Sequence, residues 1–123
     1  MRKQTFETIE EIKSEAIESF KLGITYFDGI LEDYSIEDEI LDIEFKIRMN
    51  KDHARNRKND DDTIHNLSLI NRKGESYDEK NSWTDKGGRV SSQIWNITSL
   101  EEFENELDNF LNEVIELEKE KIS

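Results

Sequence analysis

Six apolar residues near the end of the chain, Leu100, Phe103, Leu107, Phe110, Val114 and Leu117, follow one another at steps of 3, 4, 3, 4 and 3. That spacing puts them on one stripe of an α-helix and demands a flat apolar surface for the stripe to cover. Ser99, three residues before Glu102, supplies a capping box, so a helix over about residues 99–120 is expected. The flat surface is written elsewhere. Leu41, Ile43, Phe45, Ile47 and Met49 alternate with Asp42, Glu44, Lys46, Arg48 and Asn50. Period two predicts a strand over about 40–50 with one face buried and the other wet.

Two more strands are expected. One covers about 63–71, with Leu67 and Leu69 inward. The other covers about 89–97, with Val90 and Ile94 on one side and Trp95 and Ile97 on the other. Polar connections join them, the second punctuated by Gly87 and Gly88. At the start, Thr8 and Glu11 form a second capping box. Ile9, Ile12, Ala16, Ile17, Phe20, Ile24, Phe27 and Leu31 then keep helical phase across Gly23, which predicts one helix over about 7–33. A break at Gly23 is the alternative, since Thr25, Tyr26 and Phe27 suit a strand. The expected fold is one α+β domain over residues 1–123. Its order is helix, three-stranded antiparallel meander, helix (αβββα), with both helices on one sheet face.

Composition narrows the classes. The chain is 38% charged and 33% hydrophobic, a balance that leans toward disorder, but the periodicity argues for a packed core. It has no cysteine, which excludes disulfides and thiolate zinc sites. No apolar run follows Arg2 and Lys3, and no stretch approaches 18 apolar residues, so neither a secretory signal nor a membrane span is expected. The expected compartment is the cytoplasm.

The net charge of -13 is unevenly placed. Residues 1–44 carry 4 Lys/Arg against 13 Asp/Glu, residues 45–98 carry 11 against 8, and residues 99–123 carry 2 against 9. Two acidic ends therefore enclose a mildly basic middle. Such a field repels nucleic acid and lipid headgroups and favours a basic partner.

Few residues offer chemistry. Glu44-x-Lys46, with Asp42, has the spacing that metal-dependent nucleases use to hold a cation and polarise water, but an alternating strand with a charged outer face produces it unaided. Asp60, Asp61 and Asp62, with His65 nearby, lack the turn glycine of a calcium loop and read as a solvated turn. His53 and His65 have no nucleophile at a suitable spacing and read as structural or surface residues. Arg48, Lys51, Arg55, Arg57, Lys58, Arg72 and Lys73 have the charge to touch phosphate, against the field of the whole molecule. No catalytic residue, metal or cofactor is expected.

The densest acid lies at Asp28, Glu32, Asp33, Glu37, Asp38, Glu39, Asp42 and Glu44. A row of carboxylates can approximate the charge of a nucleic-acid backbone, which in duplex DNA is one charge per about 1.7 Å of axis. In its acidity, its lack of cysteine and its expected order of elements, the whole chain resembles the small phage-type inhibitors of host defence. Anti-CRISPR proteins that mimic DNA are the best-known members of that group. The resemblance implies a non-enzymatic, cytoplasmic inhibitor whose eight acidic residues at 28–44 bind a basic nucleic-acid-processing nuclease of the CRISPR–Cas effector type. Direct nucleic-acid binding and membrane binding are not expected, and the basic segment at 50–58 departs from a purely acidic mimic. The alternative is a protein–protein module, such as an immunity or phage accessory protein, anchored by Tyr77, Trp83 and Trp95.

Overall fold

The computed structural model of the chain describes residues 4–24, 26–48, 65–70, 80–84, 88–95, 97 and 99–122. In chain order the elements are β1 (Gln4–Phe6), α1 (Ile9–Lys21), β2 (Tyr26–Ile36), β3 (Glu39–Arg48), β4 (His65–Ile70), β5 (Lys80–Thr84), β6 (Val90–Trp95) and α2 (Leu100–Ile122). The α+β class holds, and β3, β4, β6 and α2 fall where the sequence predicts them. The three-stranded antiparallel meander does not hold. The strands form one six-stranded mixed sheet in the order β1-β2-β3-β4-β6-β5. β2–β3 and β5–β6 pair antiparallel, whereas β1–β2, β3–β4 and β4–β6 pair parallel.

The expected helix over 7–33 is the second correction. α1 opens on the Thr8 capping box, with the Glu11 N–H on the Thr8 hydroxyl at 3.2 Å and the Thr8 N–H on the Glu11 carboxylate at 3.0 Å. It closes at Gly23, whose φ of 74° lies in the left-handed region that a side chain disfavours. The Gly23 N–H reaches the Phe20 carbonyl at 3.1 Å and the Ile24 N–H reaches the Ser19 carbonyl at 3.0 Å, a Schellman ending. Phe27 and Leu31 kept the helical count because a step of four also returns to the same face of a strand. Gly29 between them is no accident. A Cβ there would stand 3.1 Å from the Phe27 ring and 3.3 Å from the Phe6 ring, which stack at 6.0 Å.

One sheet face and the stripes of both helices form a single apolar core. Phe27, Leu31, Ile43, Phe45, Ile47, Leu67, Leu69, Val90 and Ile94 meet Ile12 and Ala16 of α1 and Phe103, Leu107, Phe110, Leu111 and Val114 of α2. Phe20 stacks on Phe103 at 4.5 Å and 7° between the helices, and Phe110 meets Phe45 edge-on at 6.0 Å. The expected stripe of α2 is therefore its buried face. The opposite sheet face is polar along one register line through Asp28, Lys46, Asn66 and Ser91. Asn66 and Ser91 are buried there and meet at 3.4 Å, from the Asn66 amide to the Ser91 hydroxyl.

Candidate functional site: an acidic hairpin

All eight acidic residues singled out from the sequence lie on the β2–β3 hairpin. Between Lys21 and Lys46 the chain contains no lysine or arginine, so the hairpin carries eight carboxylates from Asp28 to Glu44 with no basic side chain among them, and Lys46 and Arg48 follow only at the end of β3. Its proximal part is built into the sheet, where Gly29–Leu31 pairs with β1 and Phe45–Arg48 pairs with β4. Beyond those rungs, among the described residues, the two strands pair only with each other.

Local geometry sets which acids are presented. Leu31 faces Ile43 and Tyr34 faces Leu41, so Glu32 and Asp33 together oppose Asp42 alone. This two-against-one bulge shifts the parity of β2, which lets odd-numbered Phe27 and Leu31 and even-numbered Tyr34 and Ile36 share the core face. Asp33 sits at φ 56°, and its N–H turns to the Asp42 carboxylate at 3.1 Å. Glu37 and Asp38 form the tip at φ 52° and 68°. Positive φ at both central residues defines a type I′ turn, in which Asn-Gly would be the cheaper choice.

The hairpin brings six of the eight carboxylates to the surface: Glu32, Asp33, Glu37, Asp38, Glu39 and Asp42 are exposed. None of the six has an ion-pair partner among the described residues. The other two lie nearer the sheet. Asp28 is only 9% exposed, directly opposite Lys46, and its Oδ1 has no hydrogen-bond partner among the described residues; Glu44 is half-buried. At about 3.3 Å per residue the distal strands are about 17 Å long, so the six exposed acids amount to about one charge per 3 Å. A single nucleic-acid strand has about one per 3.4 Å and the duplex about one per 1.7 Å. Ile40, 69% exposed, stands among them as an apolar contact that the sequence reading did not single out. The alternation of 41–49 extends back to it on the wet face, which is where its signal lay.

The other sequence candidates separate. Asp42 is held by the bulge, and among the described residues no three His, Cys, Asp or Glu side chains form a group that could hold a metal. Met49 and Asn50, His53, Asp60–Asp62, Tyr77 and the basic residues Lys51, Arg55, Arg57, Lys58, Arg72 and Lys73 lie outside the described residues, as do the side chains of Arg48, Trp83 and Trp95. His65 is buried at the start of β4. Burial lowers its pKa, opposed by a hydrogen bond to Glu118. Burial pushes Glu118 up, but hydrogen bonds from His65 and Lys121 overcome it and hold that carboxyl below its ordinary range. No described helix is long and apolar enough to cross a membrane. No protein-family model, curated protein or solved structure matches the chain.

Proposed function

We propose that this chain is a non-enzymatic, cytoplasmic inhibitor that offers its β2–β3 hairpin to the basic groove of a nucleic-acid-processing enzyme, with CRISPR–Cas effector nucleases as the class to test first. The observation that carries the reading is the hairpin's run of eight carboxylates uninterrupted by any basic residue, six of them exposed at nearly the linear density of a nucleic-acid strand. Carboxylates in such a groove take the place of phosphates and displace the same counterions. The strained backbone at Asp33, Glu37 and Asp38 supports it further. Acidic side chains occupy three positions where glycine or asparagine would fold more easily, and strain of this kind gathers at functional sites.

The test uses a purified CRISPR–Cas effector loaded with its guide. Cleavage of target DNA is titrated with this protein at low and at high salt, beside the variant Glu37→Lys/Asp38→Lys/Glu39→Lys. Inhibition that is stoichiometric, weakens with salt, is relieved by excess target DNA and is lost in the variant supports the reading. Binding indifferent to both salt and charge reversal would instead support the alternative of a protein–protein module held by apolar and aromatic anchors, to which the exposed Ile40 would add. Absence of any inhibition removes this enzyme class from the proposal.

A further inference from the structure

His65 occupies a position with no freedom to be an ordinary histidine. Its side chain is 3% exposed, and its ring lies 6.4 Å from that of Phe45, tilted by 40°. The Val90 N–H donates to Nδ1 at 3.0 Å. A backbone N–H can only donate, so Nδ1 carries no proton and the ring is the neutral Nε2–H tautomer. Nε2–H then donates to the Glu118 carboxylate of α2 at 2.7 Å. The same Glu118 oxygen accepts from Lys121 at 3.0 Å, and the Lys121 stem lies over Gly88, where a Cβ would stand 2.7 Å from its Cε. One imidazole thus joins the first amide of β6 to the final turns of α2.

The fully buried residues of α2 end at Val114, while Leu117 and Ile122 beyond it are only half-buried. The ring cannot accept a second proton without setting an N–H on Nδ1 against the Val90 N–H. We propose that His65 is a proton-operated clasp, which ties the Val90 amide of β6 to residues 118–122 of α2 while neutral and lets go of that amide when protonated, keeping its hold on Glu118. The charged groups around the ring are Glu118 and Lys121 from α2 and Arg89 beside β6, while β3 contributes the uncharged Phe45 ring. Glu118 favours the imidazolium; Lys121, Arg89 and burial oppose it. The clasp depends on none of the hairpin acids and stands whether or not the inhibitor reading does.

The test is nuclear magnetic resonance on the full chain, with His53→Gln making His65 the only imidazole signal. Long-range nitrogen–proton correlation near neutral pH should show the Nε2–H tautomer. Lowering the pH from about 7.5 to about 5 should protonate His65 at a lower pH than a free histidine. After correction for intrinsic exchange, protection of the Val90 amide should fall by about tenfold, while amides of residues 107–111 and 118–122 keep theirs. Glu118→Gln should move the transition to lower pH and Lys121→Met to higher pH, opposite shifts that a merely structural contact would not produce. An Nδ1–H tautomer, or protection of the Val90 amide that ignores the titration of His65, would overturn the proposal.

Discussion

The chain has two strongly acidic regions, and they do different things with their acid. Along α2 the carboxylates are partly neutralised where they stand. Lys13 of α1 meets Asp108 at 2.6 Å, Lys119 meets Glu116 at 3.7 Å, and Glu118 takes hydrogen bonds from both His65 and Lys121. On the β2–β3 hairpin the six exposed carboxylates have no such partners among the described residues. Segment charge counted from sequence makes the two ends look alike, at -9 and -7. The structure separates acid that helps hold the fold from acid that stands exposed with no ion-pair partner among the described residues, and the second kind adds most to the field a basic protein would meet.

The strongest way to break this contrast is to damage the helix side. Leu107 is completely buried at the centre of the α2 stripe. Leu107→Ala should cost about 3 kcal/mol from lost transfer energy and the cavity left behind, read as a fall in the urea midpoint at constant slope. Partner binding measured well below the new midpoint should be unchanged, because the hairpin is untouched. A binding loss that tracks the lost stability would mean the two regions are not independent.

A smaller effect comes from acid. His65 binds its proton less readily folded than unfolded, so as pH falls below about 6.5 the unfolded chain takes it up first and stability declines. The decline ends once the folded state is protonated as well. Glu118 has a depressed folded value, so its contribution is complete above its unfolded value and is lost as pH falls further. Urea midpoints between about pH 8 and pH 4 should therefore fall in two stages, the first absent in His65→Phe. A wild-type curve that is flat down to the carboxylate range would place the sensitivity outside this network.

How much of this was legible in sequence differs between the same two regions. The α2 stripe and its Ser99 cap could be read residue by residue, because the helical count stayed uninterrupted and the Ser99 hydroxyl does accept the Glu102 N–H at 3.1 Å. β3 was legible for the same reason at period two. β2 was not. Phe27 and Leu31 satisfy both periods, and the bulge at Glu32 and Asp33 erased the alternation that would have decided between them. The signal that separates them is Gly23, whose left-handed φ of 74° ends α1 before either residue. β1, with three residues, and β5, a polar five-residue edge, carry too little pattern to be read at all. The parallel pairing of β3, β4 and β6 depends on how connections cross, which periodicity does not encode. The eight hairpin acids could be picked out as a cluster in the sequence, but which six would be exposed waited on the hairpin.

The finest test separates the hairpin's charge from its stability. At the tip, Glu37 and Asp38 hold positive φ at the cost of side-chain crowding. The double variant Glu37→Asn/Asp38→Gly supplies the residues a type I′ turn prefers and should stabilise the protein by about 1 kcal/mol, seen as a higher urea midpoint. It also removes two of the six exposed charges. If the hairpin's acid is present for a partner, this more stable protein should bind more weakly, and the difference should shrink as salt rises. Tighter binding by the variant would mean that order at the tip, and not charge, is what the partner reads. Glu37→Gln/Asp38→Asn completes the comparison, because it removes the same two charges but keeps side chains of nearly the same shape. Equal weakening in both variants assigns the effect to charge, since only the first makes the turn easier to form.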